Sequence, residues 1–254
     1  MNENRIIPIL QMENGRFVKT KNYDLKKKTY IGDPINTLRI FNEFQLDEVV
    51  ILDISATKMN AINLNLLKEI ATECFMPLTF GGGIQKLRDA ESVISMGFEK
   101  ISFNSQCLRN PILVTQSIKN LGAQAVVCSI DYGWHRGEYR VFDHLSRKFI
   151  ETNLREFFLQ CIDLGCGELI VTNIQREGSW EGYDLGGIQQ ICDLSSVPVI
   201  ANGGAVNQAD VDEVFKLSVD AGVSSSVLFL KNQSGVLVNF PFTQRKQLGL
   251  TFDE

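Results

Sequence analysis

The stretches PLTFGGGI, at Pro77–Ile84, and PVIANGGA, at Pro198–Ala205, share one pattern and begin 121 residues apart in the chain. Each is a short apolar run that ends in glycines, which is typical of a buried strand leading into a tight loop. The same interval relates two further pairs, Asn104-Ser105 with Ser225-Ser226, and Leu64 with Leu185. Simple strand–helix units would repeat about every 30 residues. The longer interval therefore predicts two copies of a half-fold, at about 1–121 and 122–254.

Strand-like apolar runs alternate with amphipathic helical patterns along the chain. The predicted strands are Arg5–Leu10, Glu48–Ile54, Pro77–Phe80, Lys100–Phe103, Ala125–Asp131, Glu168–Asn173, Pro198–Ala201 and Ala221–Val227. Helices are predicted at Pro34–Phe44, Leu64–Phe75, Lys86–Met96, Pro111–Leu121, Leu154–Leu164, Leu185–Leu194 and Gln208–Leu217, with a short or broken eighth in Asn232–Leu250. This order predicts an α/β fold, a (β/α)8 TIM barrel of two homologous half-barrels, in a single domain covering 1–254. Two dinucleotide-binding domains are the competing fold, but no GxGxxG follows the first strand.

Composition excludes several classes of protein. The net charge of −5 argues against broad binding of nucleic acid or anionic membranes. No apolar run approaches the length of about 20 residues that a membrane span needs. The six cysteines show no CxxC pair, and we interpret them as reduced core thiols of a cytoplasmic protein. With two histidines in the chain, we expect no metal and no cofactor.

Glycines and small polar residues end four of the predicted strands, at the barrel end where catalytic sites lie. Backbone N–H groups of glycine loops approach anions closely, so each half predicts one phosphate site. The candidate substrate- or phosphate-binding residues are Lys19, Asp53, Gly82, Gly83, Asn104, Gly178, Gly203, Gly204, Ser225 and Ser226. Two sites imply an elongated phosphorylated ligand, and tight turns without a ligand are the alternative. Asp53 is either a ligand residue or a cap, and the Lys19 segment is either a mobile lid or a solvated basic run.

Several motifs resemble the cyclase subunit of imidazole glycerol phosphate synthase, in order from residue 5 to about 230. They are Arg5–Pro8, Gly15–Lys19, Gly32–Pro34, Leu52–Ile54, Pro77–Ile84, Asn104-Ser105, Ser129–Asp131, Glu181–Asp184 and Asn202–Ala205. The related histidine-pathway isomerase shares the two-half barrel, but the Arg5 start and Glu181–Asp184 favour the cyclase. The resemblance implies a glutaminase at the N-terminal face of the barrel. It also implies that ammonia passes through the barrel and converts a bisphosphorylated aminoimidazole-carboxamide precursor to imidazole glycerol phosphate and AICAR.

The resemblance also implies two catalytic aspartates, and this chain has one of them. Asp131 matches the second, while the first falls on Gln11, whose amide cannot exchange a proton. Loss of one acid–base partner costs about 10²–10⁴-fold in rate. Glu13, two residues further on, is expected to be misplaced as a substitute. The loop around Gln175 and Glu177 also departs from the family, so whether the chain is itself a lyase stays open.

At the opposite end of the barrel the resemblance implies an ammonia gate of four charged residues. Arg5, Glu48, Lys100 and Glu168 match that ring, and each lies at the start of a predicted strand. A purely structural salt-bridge cluster is the alternative reading of the ring. Glu99 matches an acidic contact at the glutaminase interface.

Three hypotheses follow. The first is a paralogue that docks a glutaminase and supplies ammonia to a third protein at the mouth, an amidotransferase that makes acetamidino sugars for surface polysaccharide. The second is an active cyclase of histidine biosynthesis, in which Asp131 carries both proton transfers or Glu13 assists. The third is a non-catalytic scaffold that activates a glutaminase.

Overall fold

The computed structural model describes residues 5–43, 46–217, 219, 221–222, 229–232 and 235–238. Its strands are β1 (Ile9–Glu13), β2 (Arg16–Lys21), β3 (Asp24–Gly32), β4 (Val49–Asp53), β5 (Leu78–Gly81), β6 (Lys100–Phe103), β7 (Val126–His135), β8 (Glu138–Asp143), β9 (Lys148–Asn153), β10 (Glu168–Asn173), β11 (Val199–Asn202), β12 (Ala221–Gly222), β13 (Phe229–Asn232) and β14 (Gly235–Val238). Its helices are α1 (Pro34–Glu43), α2 (Ile54–Met59), α3 (Leu64–Glu73), α4 (Leu87–Ser95), α5 (Ser105–Arg109), α6 (Pro111–Leu121), α7 (Leu154–Asp163), α8 (Leu185–Cys192) and α9 (Gln208–Phe215).

The wall of the fold is a curled parallel sheet in the order β12-β11-β10-β7-β6-β5-β4-β1. Helices follow these strands, so the predicted (β/α)8 barrel is confirmed. Residues 223–227 of the predicted eighth strand lie outside the described residues. Two antiparallel hairpins extend the sheet at the carboxyl ends of the barrel strands, β2–β3 from β1 and β8–β9 from β7.

The two halves repeat each other at the level of secondary structure. Strands β5 and β11, helices α3 and α8, and helices α4 and α9 each begin 121 residues apart. Helices α4 and α9 also share one half of a capping box, since Asp89 and Asp210 each accept a hydrogen bond from the backbone N–H of the residue before the helix. The interval read from the sequence is therefore a structural interval.

Apolar residues separate into two layers because successive strand residues point to opposite faces. The larger cluster fills the space between the strands and the helices. A second cluster, called here the barrel core, is formed by the buried residues Ile7, Ile9, Val50, Val127, Ile170 and Ile200. Two residues before Val50 and Ile170 along the same strand faces lie Glu48 and Glu168, and two after Ile9 lies Gln11. The interior is thus charged at its floor, apolar in its middle and polar at its mouth.

Three expectations about the fold need correction. The first strand begins at Ile9 rather than Arg5, because Pro8 lacks the N–H that a ladder requires. The segment containing Lys19 is a paired hairpin rather than a lid, and its turn residues Asn22 and Tyr23 have φ of 54° and 52°, as a two-residue hairpin turn requires. Where a helix was predicted after Asn232, Gly235–Val238 is a strand that pairs with β13.

Candidate functional site

The four charged residues at the floor form a closed ring. Arg5 Nη1 lies 3.1 Å from Glu48 Oε2, and Nη2 of the same guanidinium pairs with Glu168. Lys100 Nζ lies 2.9 Å from each of the two carboxylates. Thr79 adds a hydroxyl that donates to Glu48 Oε1 at 2.9 Å. The structure therefore brings together all four residues of the predicted gate, with each cation between two anions.

Burial acts against these charges, and the partners overcome it. Glu48 and Glu168 are only 4% and 5% exposed. Burial disfavours the ammonium of Lys100, but Glu168 and Glu48 outweigh that effect and raise its pKa above the ordinary value. The ring is a set of buried ion pairs that satisfy one another.

At the mouth, Asp131 ends the inward-facing row of β7 and is held by two side chains. Its Oδ2 accepts a hydrogen bond from Asn104 Nδ2 at 2.8 Å and lies 2.7 Å from His144 Nε2. Asp131 is 5% exposed, and its Oδ1 has no hydrogen-bond partner in the described ranges of the chain. The sequence interpretation missed His144, which the turn between β8 and β9 carries back over the strand ends.

Gln11 is buried at the matching position on β1 and is hydrogen-bonded within the protein. Its Oε1 accepts from the Thr20 hydroxyl at 2.8 Å, and the Tyr23 side chain also bonds to it. Glu13 is engaged elsewhere, in ion pairs with Lys28 and Lys58. The amide is thus a fixed part of the mouth, and the nearby carboxylate is committed to lysines.

A second carboxyl at the mouth, Glu177, was noted in the sequence only as a departure from the family. It is 2% exposed, and its Oε2 has no hydrogen-bond partner among the residues that the structure describes. Burial and the charge of Asp131 raise its pKa to about 7, against the opposing effect of Lys19. Its burial results from the path of the loop after β10, which no local sequence pattern encodes. Asp131 and Glu177 are therefore two carboxyl groups with different environments at one mouth.

Lys19 points inward from β2 onto the same loop. Its Nζ lies 4.0 Å from the ring centre of Trp180, which is a cation–π geometry. Burial lowers the pKa of Lys19 to about 8, although Glu177 opposes that change. Within the described part of the chain the ammonium has no hydrogen-bond partner, and Trp180 and Glu177 are its electrostatic neighbours.

The β2–β3 hairpin closes over the strand ends and contacts the loop after β10. The backbone N–H of Asn22 donates to the Glu177 carbonyl at 2.8 Å. Gly178 has φ of 67°, and a Cβ there would lie 2.3 Å from the Thr20 carbonyl oxygen. Only glycine permits this approach, so the predicted ligand residue Gly178 serves the contact between hairpin and loop.

A cavity of about 220 Å³ opens at one side of the mouth. Five of the predicted site residues line it: Asp53, Gly82, Gly83, Asn104 and Asp131. His144, Lys58 and Arg147 contribute further polar groups. Gly82 has φ of 116°, and a Cβ there would lie 2.2 Å from the Asp53 carbonyl oxygen, so the chain requires glycine at this wall. The lining thus combines an amide and two cations with the carboxylates of Asp53 and Asp131.

The other predicted site residues do not join this cavity. Lys19, Gly178, Gly203 and Gly204 lie outside its lining. Ser225 and Ser226 lie outside the described residues. Asp53 lines the cavity but acts as the cap of α2, since its Oδ1 accepts from the backbone N–H groups of Ser55 and Ala56, both at 2.9 Å. The first half thus contributes Gly82 and Gly83 to this cavity, and the second phosphate site, which includes residues outside the described ones, stays a prediction.

Among the described residues, no helix combines the length and apolar character that crossing a bilayer requires. A family model described as histidine biosynthesis protein matches residues 5–234. The chain is 36% identical over 251 residues to a provisionally named imidazole glycerol phosphate synthase subunit hisF2 of Pseudomonas aeruginosa, which covers 96% of this chain and 98% of that protein. It is 36% identical to a provisionally named subunit HisF of Leptospira interrogans, covering 96% and 97%. It is 35% identical to subunit HisF of an Exiguobacterium species, covering 90% and 89%.

Proposed function

This chain belongs to the histidine biosynthesis protein family, among the HisF-type subunits of imidazole glycerol phosphate synthase, and from that premise we propose that it conducts ammonia for a different final reaction. In this proposal a glutaminase docks at the N-terminal face of the barrel. Ammonia enters through the ring of Arg5, Glu48, Lys100 and Glu168 and leaves at the mouth. A third protein, an amidotransferase that makes acetamidino sugars for surface polysaccharide, uses it there.

The contrast between an intact floor and an altered mouth carries the proposal. The barrel core above the ring is apolar, and an apolar passage favours neutral ammonia over any ion. At the mouth, Gln11 replaces the first catalytic aspartate and is fixed by Thr20. An amide does not take up or release a proton near neutral pH, so ring closure loses one of its two acid–base groups.

Exposed apolar side chains near the mouth support a partner at this end. Three large apolar side chains here are exposed. Trp134 near the end of β7 is 53% exposed, Leu145 in the turn between β8 and β9 is 48% exposed, and Met59 at the end of α2 is 62% exposed. All three follow the carboxyl ends of barrel strands, so they share one end of the fold. Large apolar side chains gathered at one surface are typical of protein–protein contacts.

We also propose that the chain is one domain whose halves extend over about 1–121 and 122–254. The shared 121-residue interval of β5 with β11 and of α4 with α9 supports this division.

The first experiment measures coupling between glutamine hydrolysis and amidino-sugar formation in the reconstituted three-protein system. We expect Arg5→Ala or Lys100→Ala to let ammonia escape, so that glutamate forms without product. Arg39→Ala is the matched control, because Arg39 makes an exposed ion pair with Glu73. Circular dichroism at the assay temperature checks that each variant is folded. Coupling that survives both ring variants would make the ring purely structural, and hydrolysis unaffected by this protein would remove docking altogether.

The second experiment measures cyclase turnover with the bisphosphorylated precursor and free ammonium. We expect turnover to be reduced by about 10²–10⁴-fold relative to a cyclase with both aspartates. Rapid turnover that Asp131→Asn abolishes would contradict the proposal.

An active cyclase of histidine biosynthesis is the second candidate, and one observation favours it. Glu177 is buried, its charge interacts with that of Asp131, and its pKa is about 7, which suits a general acid or base near neutral pH. Rescue of a histidine auxotroph lacking its cyclase, lost in Glu177→Gln and kept in Glu13→Gln, would establish this candidate. If the strain is not rescued although the protein is stably expressed, the cyclase candidate is excluded and the ammonia-conduction proposal stands.

A further inference from the structure

Three buried thiols converge behind the strand that carries Asp131. Cys107 comes from α5, Cys128 from the helix-facing side of β7 and Cys161 from α7. Their sulfur atoms all lie within 4.8 Å of one another. The side chains are 7%, 0% and 0% exposed. Three separate elements thus bring one soft ligand atom each to one point.

A fourth cysteine adjoins the cluster. The Cys166 thiol donates to the Cys161 carbonyl oxygen at 3.4 Å, and the neighbouring Cys128 raises the pKa of Cys166. The backbone N–H groups of Cys128 and Glu168 have the opposite effect on that pKa, because they favour the thiolate. Such N–H donors commonly surround metal-bound thiolates and offset their negative charge.

We propose that Cys107, Cys128 and Cys161 form a structural zinc site, whose fourth ligand is Cys166 once its side chain turns from the Cys161 carbonyl oxygen toward the triad. Zinc takes thiolate ligands in tetrahedral geometry with Zn–S bonds of about 2.3 Å, which places the sulfurs about 3.8 Å apart. The sulfurs of the triad therefore need to approach by about 1 Å at most, a movement of rotamers rather than of elements. No nitrogen or oxygen ligand takes part, so the set is soft and selects a thiophilic ion.

All six cysteines are free and five are buried, as the sequence predicted for reduced core thiols, and the proposed site would give some of them a further role. That expectation rested on the lack of a CxxC pair, which is a test of local spacing only. Here the ligands come from different elements, and the barrel brings them together. A disulfide could join two of the thiols but would leave the others in the same small volume, whereas one ion engages all of them.

The position of the site gives it a structural consequence that is independent of ammonia conduction. Cys107 lies in the first proposed half of the chain, and Cys128 and Cys161 lie in the second. Cys128 precedes Asp131 by three residues on the same strand. A bound ion would therefore join the two halves and fix the strand that presents Asp131.

The test begins with the full chain purified without air from cells grown with zinc. We expect about one zinc per chain, retained through dialysis against a chelator at neutral pH. After exchange, cobalt(II) should show a sulfur-to-metal charge-transfer band and the strong visible bands of a tetrahedral site. Cys161→Ala should lower the metal content by more than about tenfold, while Cys74→Ala, a buried cysteine outside the cluster, should leave it unchanged.

A second measurement needs no variant, in case Cys161→Ala does not fold. Forced removal of zinc from the wild-type chain should lower its thermal midpoint, and added zinc should restore it. Metal-free protein that is folded, gives six free thiols and shows no cobalt charge-transfer band would overturn the site. A mass two hydrogens lower, with a disulfide mapped among these cysteines, would overturn it as well.

Discussion

The two ends of the barrel treat buried charge in opposite ways. At the floor, Lys100 lies 2.9 Å from both Glu48 and Glu168, and Arg5 pairs with the same two carboxylates. At the mouth, Lys19, Asp131 and Glu177 each keep a buried polar atom without a hydrogen-bond partner among the described residues. A buried polar group without a partner costs about 1–3 kcal/mol. The floor charges are thus paired with one another, whereas the described part of the mouth keeps polar atoms that it does not satisfy.

This difference separates stability from activity. Ion pairs that satisfy one another hold their geometry without a ligand, which suits a fixed entrance. Groups held without partners keep their interaction capacity for a ligand or a second protein. The pKa values follow the same division, since that of Lys100 is raised by its partners while that of Lys19 is lowered by burial.

The strongest test of the comparison removes one cation from the floor. Lys100→Met leaves Glu48 and Glu168 buried with Arg5 as the remaining cation of the ring. We expect a loss of about 3–5 kcal/mol in unfolding free energy at pH 7, measured by urea denaturation. Because its folded pKa is raised, the wild-type contribution of Lys100 should be complete below pH 10.5 and be lost above it. Arg39→Met removes a cation from an exposed ion pair and should leave the urea midpoint almost unchanged. Equal losses of unfolding free energy in Lys100→Met and Arg39→Met would contradict the distinction between buried and exposed pairs.

The corresponding test at the mouth is Glu177→Gln. The folded pKa of Glu177, about 7, lies above the ordinary 4.5. The contribution of this group to the unfolding free energy is therefore most favourable below pH 4.5 and is lost as the pH rises through 7. The neutral amide avoids this loss, and we expect the variant to be more stable than the wild type by about 3 kcal/mol at pH 8.5. At pH 4 the two proteins should unfold alike.

Glu181→Gln is the control for that pH profile, since Glu181 lies in the same loop but pairs with Arg176 at the surface. It should show no comparable pH trend. A flat profile for Glu177→Gln would mean that the Glu177 carboxyl is solvated or partnered in solution.

A smaller effect is expected at the pair that does form at the mouth. His144→Phe keeps a ring but removes the nitrogen 2.7 Å from Asp131 Oδ2, leaving Asn104 as the remaining partner. We expect a loss of about 1–2 kcal/mol in unfolding free energy at pH 6. His135→Phe, whose ring stacks on Phe149, should cost less. If neither His144→Phe nor His135→Phe changes the unfolding free energy, the contact between His144 and Asp131 does not stabilise the fold.

The smallest effect is expected at the outer edge of β1. Glu13→Gln breaks the pair with Lys28, whose side chain is 43% exposed. Water and salt screen such pairs, so we expect a change of about 0–1 kcal/mol that vanishes in concentrated salt. A loss as large as that of Lys100→Met would show that exposure does not separate the two ends.

The parts of this molecule that follow chain periodicity were predictable from sequence. The glycine loops at Gly82 and Gly203 marked strand ends, and their spacing indicated two halves. The floor ring was predicted through the family resemblance, and strand alternation explains why Glu48 and Glu168 share the inward face with Val50 and Ile170.

The chemistry of the mouth was less predictable, because loops place it. His144 and Glu177 reach Asp131 from long connections after β7 and β10, whose paths depend on tertiary contacts. Tyr23 enters the mouth from a hairpin turn with left-handed backbone, which a tyrosine does not signal in sequence. The cysteine cluster was likewise not predictable, because its members come from different elements and form no local motif such as CxxC.

The repeated glycine loop gives this chain two copies of one ancestral device inside a single fold. In the first copy Gly82 and Gly83 still border an open cavity, while the second copy, at Gly203 and Gly204, lies outside it. The two loops share one sequence pattern but have different surroundings, so a substitution in one of them need not disturb the other.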